Sequence, residues 1–99
     1  MKSLPLSVAR EAAAEAFEAA AWYEKQSQGL GHAFLELVDQ ALKEIAERPY
    51  QFPQVYRDIR RALLKRFPFG IFFRLRSNRI RIVAVMHLSR DPKRWRQRH

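Results

Sequence analysis

Ninety-nine residues with 47% hydrophobic side chains suit one small core, so the chain is too apolar for a disordered polymer and reads as a single domain over 1–99. The net charge of +9 is unevenly spread: residues 1–56 hold 5 Lys and Arg against 8 Asp and Glu, whereas residues 57–99 hold 14 against 2, and 12 of those 14 are arginine. The absence of cysteine excludes disulfides, thiolate nucleophiles and cysteine zinc sites, and no apolar run approaches the roughly 18 residues of a membrane span.

The N-terminal stretch MKSLPLSVAREA has no long apolar segment and meets acids early, so no secretory leader is expected and a cytoplasmic protein is. Residues 2–6 read as a short edge strand, because Pro5 is tolerated only at an edge. Ser7 is the expected N-cap of a helix through AREAAAEAFEAAAWYEKQ. Ala9, Ala13, Ala16, Phe17 and Ala20 share one face of it, and Glu11, Glu15, Glu18, Trp22 and Lys25 another. Trp22 falls on the charged stripe. A rim residue covering the helix end is the plainer reading, and an anchor for a partner is the other.

QGLG at 28–31 interrupts this helix, and a second runs through HAFLELVDQALKEIAER until Pro49 ends it. Leu30, Phe34, Leu37, Ala41 and Ile45 form its apolar stripe, while His32 lies on the solvent side. A short turn between two helices predicts an antiparallel hairpin. Residues 49–58 read as a proline-and-aromatic connection. Three strands are expected next, over 59–67, 70–76 and 79–88, with Ser77-Asn78 as the tight turn between the last two.

Alternation sends Ile71, Phe73 and Leu75 to one face, joined by Ile80, Ile82, Ala84, Met86 and Leu88. The helices are expected to cover that face, giving one core of Phe17, Phe34, Leu37, Ile45, Phe73, Ile82 and Met86. The opposite, open face then receives Arg74, Arg76, Arg81 and His87, and Arg60 and Arg66 are assigned to it as well. Asp91-Pro92 fits the start of a short C-terminal helical turn that adds Arg90, Arg94, Trp95 and Arg96 to the basic surface. The expected class is α+β: an N-terminal edge strand, a helix hairpin on one face of a twisted antiparallel sheet, and a terminal helical turn.

Taken together, AAAEAFEAAAWYEKQSQGLGHAF, IAERPYQFP, RRALLKRFPFGIFFRL and IVAVMHLSRDPKRW resemble the RelE/ParE superfamily of bacterial toxins, also called plasmid stabilisation proteins, over nearly the whole chain. That resemblance implies the toxin half of a type II toxin–antitoxin pair. It implies an acidic cognate antitoxin, a heterotetramer or larger complex with it, and no cofactor. RelE-like members are ribosome-dependent endoribonucleases of mRNA, and ParE-like members poison DNA gyrase.

The residues themselves bear on that division. Metal-free RNA cleavage requires a base, an acid and cations around the phosphate. Gly70 stands where the resemblance implies a nuclease arginine, and Trp95 stands near an implied tyrosine, although an indole is no acid. These departures favour the ParE branch. His87 is the remaining acid–base candidate beside Arg60, Arg66, Arg74 and Arg90, because histidine is the side chain suited to both roles near neutral pH. Its other reading is a strand-end residue bonded to the Ser89–Asp91 turn. A third functional reading is a non-toxic basic module that binds nucleic acid through arginines and Trp95. With three scattered histidines and no cysteine, no metal site is expected.

Overall fold

The computed structural model describes residues 3–99. Its elements are β1 (Leu6–Val8), α1 (Arg10–Gln26), α2 (Leu30–Glu47), a 3₁₀ turn (Pro49–Gln51), β2 (Gln54–Tyr56), β3 (Ile59–Leu63), β4 (Phe69–Arg76), β5 (Arg79–His87) and α3 (Lys93–Arg96). The α+β class is as expected. The five-stranded sheet has the order β1-β5-β4-β3-β2. It is mixed rather than purely antiparallel, because β1 runs parallel to β5, with Leu6 opposite Ile80 and Val8 opposite Ile82.

The edge strand therefore lies at 6–8 and not at 2–6; Lys2, part of that expectation, is outside the described residues. Ser7 sits within the strand, where its hydroxyl accepts a bond from Arg81, and α1 starts after Ala9 without a side-chain cap. Pairing of Leu6 and Val8 with Ile80–Ile82 outweighs the capping preference of serine. β2 was not legible in the connection over 49–58. β3 stops at Leu63 because Arg66 takes a left-handed backbone (φ 68°) on the way to Pro68.

The helix hairpin is built on small residues. α1 buries Ala12, Ala16 and Ala20, spaced by four, and turns Phe17 outward at 64% exposure. Phe17 thus does not belong to the core, contrary to expectation: only alanines leave room for α2 to approach this closely. Gly31 is the counterpart, since a Cβ there would lie 2.4 Å from the Ala20 carbonyl oxygen. Gly29 adopts φ 86°, a conformation that favours glycine. The Glu24 carboxylate then accepts the Gly29 and Gly31 N–H groups at 2.8 and 2.9 Å, and these bonds hold its pKa below the usual carboxylate range. An acid from the end of α1 caps the first turn of α2.

Against the hairpin the sheet presents Ile71, Phe73, Ile80 and Ile82, each at most 1% exposed. Tyr23, Phe34, Phe67 and Phe69 close one end of this core with ring centroids 4.7 to 6.1 Å apart. Phe72 pairs with Ala84 and Phe73 with Ile82, which leaves Val83 as an extra residue in β5. This bulge exchanges the faces of the rest of β5. Val85 joins the helix-side core, whereas Ala84 and Met86 join a second cluster on the other side with Ile59, Phe72, Val83 and Trp95. Met86 is therefore not in the core expected for it, and Leu88 is 45% exposed beyond the strand.

Candidate functional site: two basic regions and a docked tail

The sheet face turned away from the helices is not open, because the C-terminal residues fold across it. Asp91 Oδ1 accepts the Lys93 N–H at 3.0 Å and its carbonyl accepts the Arg94 N–H, which starts α3 where the Asp-Pro pair predicts. α3 lays Trp95 on Phe72, with ring centroids 4.2 Å apart at 21°, and the indole is 6% exposed. Trp95 is thus a second-core residue and not a solvent-facing anchor. Beyond it, the Arg98 guanidinium bonds Glu15 Oε1 at 2.9 Å and the Val83 carbonyl at 3.2 Å, while the Arg98 carbonyl accepts Arg74 Nε at 2.9 Å. The tail is tied to the sheet and to α1.

These contacts sort the arginines. Arg74 is buried and engages Asp58, whose other oxygen accepts Arg76 Nε at 2.6 Å. Burial raises the Asp58 pKa, but the Arg76 hydrogen bond and the charges of Arg74 and Arg76 outweigh it and hold the carboxyl below its ordinary value. Arg60 lies opposite Phe73, on the helix-side parity, and donates to the Phe52 carbonyl at 2.7 Å; it clasps the 3₁₀ turn. Arg66 sits in the turn after β3 over the Phe67 ring. Neither lies on the face assigned from sequence. Arg61 takes that place instead, opposite Phe72, and its stem lies across Gly70. Arg96 packs over Tyr56 at 4.7 Å.

Two concave regions among the described residues bear on function. At the β4–β5 turn, Arg74, Arg76, Arg79 and Arg81 surround a hollow of about 260 Å³ with Ser7 and His99. Arg79 belongs to this group but was missed; its position beside the Ser77-Asn78 turn, two residues before Arg81, was the available signal. At the other end of β5, a groove of about 580 Å³ lies between α1 and the tail, lined by Glu18, Trp22, Phe69, His87, Arg90 and Arg94 among others. His87 faces α1 because of the bulge, its ring 5.4 Å from Phe69, and its Nδ1 accepts the Ser89 N–H at 3.0 Å. His87, Arg90 and Arg94 are brought together. Arg74, Arg76 and Arg81 are not with them: six residues of strand, about 20 Å, separate Arg81 from His87. Among the described residues no group of three or more His, Asp or Glu is placed to hold a metal ion.

A family model, the ParE toxin of the type II toxin–antitoxin system parDE, matches residues 6–92. The chain belongs to the ParE toxin family. Among solved structures it is similar to a chain of the chromosomal ParDE toxin–antitoxin system from P. aeruginosa, with a TM-score of 0.70 and 21% identity over 86% of this chain and 96% of that one. That likeness concerns the fold. No curated protein matches the sequence. As a ParE-family toxin, the chain carries its family match across the edge strand, the hairpin, the sheet and the Arg90-Asp91-Pro92 turn, but not across α3. No helix among the described residues is long and apolar enough to cross a membrane.

Proposed function

We propose that this toxin acts in the cytoplasm by inhibiting DNA gyrase, and that an acidic antitoxin neutralises it in a stable complex. The observation that carries the reading is the use made of the cations expected for phosphate chemistry. Arg74 is bound up with Asp58 and the tail carbonyl, Arg60 with the 3₁₀ turn, and Trp95 with Phe72. A toxin that binds a protein–DNA complex needs a shaped basic surface and no catalytic constellation. The Arg76, Arg79 and Arg81 side of the β4–β5 turn supplies such a surface, in which Asp58 pairs with Arg76.

A second reading draws on the groove that unites His87 with Arg90 and Arg94: RNA cleavage, with His87 as acid or base. Glu18 on the facing wall counts against it, since a carboxylate there repels a phosphate backbone, whereas Glu15 is paired with Arg98. The deciding experiment is induced expression followed by mapping of both lesions. Gyrase inhibition predicts trapped gyrase–DNA cleavage complexes and DNA-damage signalling. The Arg79→Glu/Arg81→Glu variant should lose toxicity, because it reverses two exposed charges of that surface; a melting curve checks that placing a carboxylate opposite Arg74 leaves the fold intact. Codon-linked mRNA cuts that disappear in His87→Ala would refute the gyrase reading in favour of the nuclease.

A further inference from the structure

The β4–β5 hairpin sets like charges face to face. Arg74 stands directly opposite Arg81, and Arg76 directly opposite Arg79. All four side chains leave the sheet on the face turned away from the helices, because their strand neighbours Phe73, Leu75, Ile80 and Ile82 pack into the helix-side core. Opposed like charges destabilise a strand pair. Asp58 offsets this for Arg74 and Arg76, which share its two oxygens. Arg79 and Arg81 are exposed and form no ion pair among the described residues; Arg81 reaches the neutral Ser7 hydroxyl at 3.3 Å. These two guanidinium groups remain available to an anion from outside the chain.

We propose that the hollow bounded by Arg76, Arg79 and Arg81 grips the sugar–phosphate backbone of duplex DNA, with successive phosphates on the two rungs of this arginine ladder. The site is the basic surface of the gyrase reading above, and the proposal rests on that reading by naming what the surface holds. The rungs lie two residues apart along the strands, about 7 Å, which is the step between neighbouring phosphates of a nucleic-acid strand. A guanidinium presents paired, planar donors that match phosphate oxygens. Ser7 adds a neutral hydroxyl to the rim of the hollow, whose volume is about 260 Å³. An acidic protein segment suits it less well. Ile80 is the apolar residue of the lining, and it is 1% exposed, so the hollow offers no pocket to the apolar anchors that dominate protein interfaces. Contacts to phosphates position a protein without reading bases, so the grip is independent of sequence.

The test uses the full chain and a short fluorescein-labelled DNA duplex, without gyrase, with binding followed by fluorescence anisotropy over a series of salt concentrations. Each phosphate contact adds about 0.9 to the log–log salt slope, so Arg79→Gln/Arg81→Gln should flatten that slope by about 2 and weaken binding at low salt by about tenfold or more. Lys65→Gln/Lys93→Gln removes the same charge from exposed positions outside the hollow and should change affinity less than about threefold. In the wild-type chain, added duplex should shift the amide NMR signals of Arg76, Arg79 and Arg81 and leave those of Lys65 and Lys93 in place; this readout needs no variant to fold. Equal losses in the two double variants, or shifts spread over the whole basic half, mean diffuse attraction to the net charge and overturn the site. So does an Arg79→Gln/Arg81→Gln chain that binds duplex as wild type does but no longer binds DNA-free gyrase, which assigns the hollow to an acidic protein surface. Duplex binding at the hollow without trapped gyrase complexes refutes the gyrase reading and leaves the site standing. Trapped complexes without duplex binding refute the site and leave the gyrase reading standing.

Discussion

Replacing Trp95 by alanine removes the side chain that seats the C-terminal residues on the sheet. The indole is 6% exposed, stacked on Phe72 at 4.2 Å and edge-on to Tyr56 at 6.3 Å. Truncating a buried tryptophan costs about 3–5 kcal/mol. The lower end applies here, because α3 is four residues long and the tail can relax into part of the space. For a domain of this size about 3 kcal/mol corresponds to a fall in Tm on the order of 15 °C. Thermal unfolding followed by circular dichroism measures it directly. Trp22→Ala is the internal control: its side chain is 58% exposed, so the cost should stay within about 0.5 kcal/mol. The two variants also separate the fluorescence signals, and the blue-shifted emission should belong to Trp95. If Trp95→Ala melts within about 3 °C of wild type, the tail is not docked, and the argument that it closes the second face fails.

Phe34→Ala, which empties a fully buried site, should destabilise by roughly 3–5 kcal/mol in denaturant titration, whereas Phe17→Ala at 64% exposure should change little. Gly31→Val places a side chain against the Ala20 carbonyl and should force the helices apart, seen as a large loss of Tm or of soluble protein. Asp58 and Glu24 both have carboxyl pKa values lowered in the fold, so the unfolded chain binds protons more readily. Their contribution is present above the unfolded values near about 4 and disappears as pH falls through the folded ones. Unfolding titrations across that acid range should steepen accordingly, and Asp58→Asn should flatten the pH dependence while lowering stability at neutral pH, because it leaves Arg74 buried without its anion.

The fold was legible where period and chemistry agree. The alanine-rich first helix, Gly29 at the break between the helices, and Ser77-Asn78 between alternating runs all mark elements found at those places. The family resemblance, carried by the same stretches, matches the ParE model over residues 6–92. Legibility failed at the bulge. Val83 adds one residue to β5, and nothing in VAVMH distinguishes a bulged strand from a regular one, so Met86 and His87 were assigned to exchanged faces. The same limit explains Arg60: alternation in IRRALL gives two parities, each with apolar and basic members, and only tertiary pairing with Phe73 chooses between them. The tail was misjudged because its anchoring depends on partners far away in sequence. Arg98 reaches Glu15, and Arg74 reaches the Arg98 carbonyl. A run of arginines read as a solvated basic surface is in part a set of structural clasps.

The most direct test of the functional account is a purified comparison of the two targets. The toxin is added to DNA gyrase with supercoiled plasmid, and separately to ribosomes programmed with mRNA. The account predicts accumulation of gyrase–DNA cleavage complexes, reversed by the antitoxin and lost in Arg79→Glu/Arg81→Glu, with mRNA left intact. Ribosome-dependent cleavage of mRNA by wild-type toxin, abolished in His87→Ala, together with unaffected gyrase, would contradict it.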